Sequence, residues 1–138
     1  MIAPSTPRLL ETALCVDDLE RAAAFYERAL GLTRMLTAPR LIALRVEGGA
    51  LLLFKRGACE ADIVDAGGLI PGHGSQGRIH FAMAISTDDY EAWRVRLSGE
   101  GVVITGEYVW PRGGRSLYFS DPDGHVVELA TPGLWPNY

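Results

Sequence analysis

A chain of 138 residues is long enough for one compact domain with a real core, and its 48% apolar and 22% charged residues are those of a soluble globular protein. A net charge of −4, with no basic run, excludes a nucleic-acid backbone as partner. The N-terminus, MIAPSTPRLL, has neither signal-peptide nor transit-peptide character, and no apolar stretch approaches the roughly eighteen residues of a membrane span. The expectation is a cytoplasmic protein without membrane contact. Cys15 and Cys59 lack the spacing of a disulfide framework or a zinc knuckle and are expected to be reduced, one of them buried.

Glu11 to Val16 reads as the first strand. Asp17 is placed to cap a following helix, with Glu20 completing a capping box. Leu19, Ala22, Ala23, Tyr26 and Leu30 recur at helical spacing until Gly31 ends the run. Residues 32–37 supply a short strand, and Leu41 to Val46 and Ala50 to Phe54 form a hairpin around Glu47-Gly48-Gly49. The first unit therefore reads βαβββ.

The segment from Gly57 to Arg78 is rich in glycine and lacks periodicity, which marks it as a linker, a mobile lid, or both. His80 to Ile85 then repeats the first strand's pattern of small and large side chains. A helix follows from about Asp88 to Leu97, with Tyr90, Trp93 and Leu97 on one face. Val102 to Ile104 and Tyr108 to Trp110 are extended, and Ser116 to Ser120 pairs with His125 to Ala130 around the turn Asp121-Pro122-Asp123-Gly124. The chain is thus one domain, residues 1–138, built from unit one (about 7–57), a connection (57–78) and unit two (about 79–132).

Alternation puts Glu11, Ala13 and Cys15 on one face of the first strand and His80, Ala82 and Ala84 on the matching face of its repeat. The large apolar residues on the opposite faces are what helices pack against. Each small-residue face is left to line a cavity, with one polar residue at its edge. Glu128 stands in the same way among Val126 and Ala130 in the closing strand. One imidazole and two carboxylates make a plausible divalent-cation site. If no metal binds, two cavity carboxylates need a protein cation, for which Arg45, Arg112 and Arg115 are available.

At these residues the chain resembles the vicinal oxygen chelate superfamily, the glyoxalase, bleomycin-resistance and extradiol dioxygenase group. The stretches that carry the resemblance are V-D-D-L-E-R-A-A-A-F-Y-E-R-A-L-G (Val16 to Gly31) and L-Y-F-S-D-P-D-G-H-V-V-E-L (Leu117 to Leu129). The resemblance implies an α+β fold of two tandem βαβββ units forming a curved mixed sheet around a cavity, assembled as a homodimer. It also implies metal ligands at Glu11, His80 and Glu128. The first of these positions is usually His or Gln in the family, and here it is Glu. A fourth ligand, a Glu in the last strand of unit one, is missing from Leu51-Leu52-Leu53-Phe54; aligning Gly49 with Gly124 places Leu53 opposite Glu128.

These features lead to a metal-dependent lyase, isomerase or dioxygenase acting on a small molecule with vicinal oxygens. Glu11, His80 and Glu128 would hold Mn, Fe, Ni, Co or Zn. Glu11 or Glu128 would serve as base, and Phe54, Trp110, Arg115 and Tyr118 would wall the substrate pocket. The alternative is a metal-free protein of the bleomycin-resistance type that sequesters a ligand among its aromatic side chains. Thiol transfer of the fosfomycin type is a third option, weakened by Glu11 and by the lack of a distinct oxyanion clamp. His73, in the connection, and His125, beside the last turn, are read as exposed, with His125 directed away from the cavity or into solvent.

Overall fold

The internal repeat governs the architecture. In the computed structural model, which describes residues 2–138, unit one runs β1 (Glu11–Val16), α1 (Leu19–Leu30), β2 (Thr33–Ala38), β3 (Leu41–Val46) and β4 (Gly49–Lys55). A small hairpin, β5 (Ile63–Asp65) and β6 (Gly68–Ile70), occupies the connection. Unit two runs β7 (His80–Ala84), a 3₁₀ turn (Thr87–Asp89), α2 (Tyr90–Gly99), β8 (Ile104–Val109), β9 (Arg115–Ser120) and β10 (Val126–Ala130). Each unit makes a four-stranded mixed sheet, in the orders β1-β4-β3-β2 and β7-β10-β9-β8. In both, the opening strand lies parallel to the last strand of its unit and forms an open edge. Both outer strands, β2 and β8, carry a register shift near their start, at Arg34/Leu36 and Ile104/Gly106.

The two faces divide as alternation requires. Leu14, Val16, Ile42, Leu44, Leu51 and Leu53 turn their side chains into the core, with Leu117, Phe119, Val127 and Leu129 from unit two. Helix α1 packs there through Ala22, Ala23, Phe25, Tyr26, Ala29 and Leu30. Its N-cap is Asp18, whose side chain accepts from Arg21 N at 3.0 Å, one residue later than the sequence expectation. Asp17 instead pairs with Arg56 at 2.8 Å. Gly31, at φ 69°, ends the helix in the left-handed conformation. Arg96 of α2 donates to the terminal carbonyls of Ala29 and Arg28, satisfying acceptors that the helix itself cannot.

The turn between β9 and β10 joins the two units. Buried Asp121 accepts from Tyr26 Oη at 2.8 Å and, through its other oxygen, from the backbone N–H groups of Asp123 and His125. Asp17 N donates to Asp123 at 2.9 Å. His125 is fully buried, contrary to the sequence expectation: its Nδ1 accepts from Ile79 N at 3.1 Å and its Nε2 donates to Cys15 O at 2.7 Å. Exposure was the wrong inference for a histidine whose two nitrogens bridge the ends of both opening strands. The connection also has more order than its composition implied. His73 N donates to Cys59 O, and the His73 ring sits edge-on to Phe54 at 4.5 Å. Both cysteines are reduced and both are buried.

Candidate metal centre

Glu128 is 5% exposed although it lies on the small-residue face of β10. Its register partners are Ala82 on β7 and Tyr118 on β9, so Ser116, Tyr118 and His80 share its side of the sheet. Oε2 accepts from the Ser116 hydroxyl, and Oε1 lies 3.1 Å from His80 Nε2. The far nitrogen of His80, Nδ1, lies 3.1 Å from the Val126 carbonyl oxygen. A carbonyl only accepts, so Nδ1 carries the proton of this contact and a neutral His80 presents a bare Nε2. A bare nitrogen facing a carboxylate oxygen repels it unless a cation is shared between them.

That requirement is the test of fit for a metal ion. A proton can satisfy the pair, and so would a divalent ion, for which an imidazole and a carboxylate are both suitable ligands. The backbone contact at Nδ1 and the hydroxyl at Oε2 are the outer partners that metal-ligating His and Glu side chains commonly have. No arginine hydrogen-bonds Glu128 among the described residues, which removes the arginine alternative within one chain.

The three sequence-predicted ligands are not brought together. His80 and Glu128 touch; Glu11 stands exposed at the start of β1, and no third His, Cys, Asp or Glu joins the pair among the described residues. Glu11 and His80 nonetheless occupy equivalent places, each opening an edge strand paired parallel with the last strand of its unit. The register corrects the internal alignment. Glu11 pairs with Ala50 as His80 pairs with Val126, so the position matching Glu128 is Leu52, and Leu53 faces the core.

Of the expected pocket walls, Tyr118 lies beside the pair, its ring centroid 6.2 Å from that of His80. Burial and then the Glu128 charge push its phenol up, keeping it a hydrogen-bond donor at neutral pH. Trp110 reaches the same network by donating Nε1–H to Ser116 Oγ at 2.8 Å, and its ring meets Tyr108 at 4.7 Å. Phe54 lies in the other sheet, on the face shared by Cys15 and Leu41. Arg115 belongs to the helix layer: its guanidinium stacks 3.8 Å from the Tyr90 ring centroid and bonds Glu91. Its register, two residues before the core residue Leu117, directs it away from Glu128.

Ser116 is the member of the site that sequence reading missed. Counting back from the turn, with Ser120 opposite Val126 and Tyr118 opposite Glu128, puts it on the carboxylate's face. A cavity of about 650 Å³ lies elsewhere, between the units, and is lined by Leu10, Leu30, Phe81, Met83 and Trp93 with Glu11 at its border.

The chain is similar in sequence and fold to several known proteins. Glutathione transferase FosA of Serratia marcescens is 31% identical over 124 residues, 88% of this chain and 78% of that protein. Metallothiol transferase FosB of Lysinibacillus sphaericus is 32% identical over 121 residues, 86% of this chain and 78% of that one. The crystal structure of a lactoylglutathione lyase from Agrobacterium tumefaciens superposes with a TM-score of 0.86 at 32% identity, covering 96% of this chain and 99% of that one. No helix among the described residues is long and apolar enough to cross a membrane. With residues 8–129 matching the family as a whole, the chain belongs to the Glyoxalase/Bleomycin resistance protein/Dioxygenase superfamily.

Proposed function

We propose that this protein is a metal-dependent enzyme, working as a cytoplasmic homodimer, in which His80 and Glu128 of one copy and Glu11 of a second copy hold one divalent ion. The observation that carries the reading is the His80–Glu128 contact, in which Nδ1 and Oε2 are already committed and Nε2 and Oε1 face each other. Glu11 supports it as the exposed counterpart of His80 on the other open edge. The ion, of the Mn, Fe, Co, Ni or Zn class, would supply Lewis-acid stabilisation of negative charge developing on adjacent substrate oxygens.

The protein's own groups then bind and orient. Tyr118 offers a protonated phenol beside the pair, while Trp110 and, from the facing sheet, Phe54 present aromatic surface. Arg45 lies on the same side of its sheet as Glu11, across β4, and suits an anionic substrate group. The names of the relatives, a glutathione transferase, a metallothiol transferase and a lactoylglutathione lyase, share thiol chemistry. Substrate screening should therefore pair a low-molecular-weight thiol with small oxygen-bearing electrophiles.

The rival is a metal-free binding protein, favoured by the fact that one shared proton also satisfies His80 and Glu128. Titration of Mn²⁺, Fe²⁺, Co²⁺, Ni²⁺ and Zn²⁺ into chelator-treated protein separates the two. The metal reading predicts about one site per chain, weakened at least 100-fold in His80→Ala and Glu128→Ala. Absence of binding by all five ions would leave the rival standing.

A further inference from the structure

Trp110, Ser116 and Glu128 form a chain of contacts whose direction is fixed by chemistry. An indole N–H can only donate, so Ser116 Oγ accepts from Trp110 Nε1 at 2.8 Å. The hydroxyl proton of Ser116 is then free for its other contact, Glu128 Oε2. Oε2 is thereby held as an acceptor, and Oε1 is the oxygen left to face His80 Nε2. Ser116 is fully buried, which shields the relay from water that could replace either bond. Its register opposite Ala130 on β10 fixes the hydroxyl beside a carboxylate two residues away along the partner strand.

We infer that Trp110 and Ser116 are positioning residues for the metal centre: the relay assigns the two oxygens of Glu128 different tasks and presents Oε1 alone as ligand. The inference rests on the metal reading above and adds residues that touch no ligand atom except through Glu128. Loss of the Ser116 hydroxyl deprives Oε2 of its donor and frees the carboxylate to rotate. Loss of the Trp110 donor leaves that hydroxyl in place without the partner that orients it, so the second change is the milder one.

The test combines metal affinity with a signature of the relay that is independent of activity. Ni²⁺ or Zn²⁺ alone is titrated into wild type, Ser116→Ala and Trp110→Phe, and the indole Nε1–H resonance of Trp110 is followed by NMR. Wild type should bind with a shift of that resonance. Ser116→Ala should keep its fold, bind about 10-fold more weakly or worse, and show an indole signal that no longer responds to metal. Trp110→Phe should weaken binding several-fold. Wild-type affinity in Ser116→Ala, or an indole resonance unmoved while the wild type fills with metal, would overturn the relay and leave the metal centre standing. A wild type that takes up no metal, even if Glu128→Gln still moves the indole resonance, would overturn the metal centre and with it any positioning for it.

Discussion

Glu128 and Asp121 are buried carboxylates on neighbouring parts of one hairpin, and they differ in what surrounds them. Asp121 has a full set of donors: two backbone N–H groups on one oxygen and the Tyr26 hydroxyl on the other. Glu128 has one hydroxyl donor and, at its second oxygen, an imidazole nitrogen that is bare in the neutral tautomer. The first arrangement is complete and structural; the second needs a cation. Burial and then Asp121 push the Tyr26 phenol far up, so it donates at all ordinary pH values. Tyr26→Phe strands one buried carboxylate oxygen and should lower stability by about 1.5–3 kcal/mol, measured as a fall in urea midpoint at constant slope. Metal affinity should be unchanged, and a midpoint equal to wild type would contradict the structural assignment.

At this scale the His80–Glu128 pair was legible because a polar residue among small ones stands out in an alternating strand. Ser116 was not, since a serine on such a face attracts no notice until its strand is paired. Arg115 misled for the converse reason. A guanidinium near an aromatic-rich turn suggests a cavity mouth, yet its parity with Leu117 already placed it among the helices. His125 was misread because its role depends on Cys15 and Ile79, which the sequence keeps far apart.

Among the elements, the helices and most strands follow directly from periodicity, and the departures have local causes. Asp17 and Asp18 are both competent caps, and Asp18 wins because Asp17 is drawn to Arg56. The Leu53 alignment failed by one residue because the turn of unit one holds two residues between Val46 and Gly49, whereas that of unit two holds five between Ser120 and Val126; glycine aligned with glycine is not strand aligned with strand. The β5–β6 hairpin was illegible because three-residue strands give no period.

Helix α2 is tied to β8 by Glu107, which accepts from Arg94 and from the Tyr90 hydroxyl. Arg94 first and Tyr90 second hold the Glu107 carboxyl below its ordinary 4.5. A carboxylate lowered in the folded state stabilises above its unfolded pKa, and that contribution is lost as pH falls from 4.5 through the folded value. The pair is partly exposed and screened by solvent, so the contribution is under about 1 kcal/mol. Glu107→Gln should be slightly less stable at neutral pH and show a shallower loss of stability below pH 4.5 in acid-denaturation curves. An identical acid limb would contradict the assignment.

For the molecule as a whole, the two stretches that made the superfamily recognisable turn out to bind each other. Val16 to Gly31 supplies Asp17 and Tyr26, and Leu117 to Leu129 supplies Asp123 and Asp121, joined across the units. The resemblance therefore reported the scaffold more than the chemistry. The chain exposes 8738 Å², against about 7,000 Å² for a compact monomer of 15.0 kDa. The exposed N-terminal segment, with Ile2, Leu9 and Leu10, and the β5–β6 hairpin, with Val64, Leu69 and Ile70, contribute to that excess.

A site shared between copies makes a prediction that no single-chain site can meet. Glu11→Ala and His80→Ala proteins, each deficient in metal binding, are mixed under conditions that exchange subunits, and bound metal per chain is measured. In a twofold dimer every mixed pair holds one intact site, so binding should recover to about a quarter of the wild-type level. Bound metal that stays at the sum of the two separate variants would contradict the shared centre.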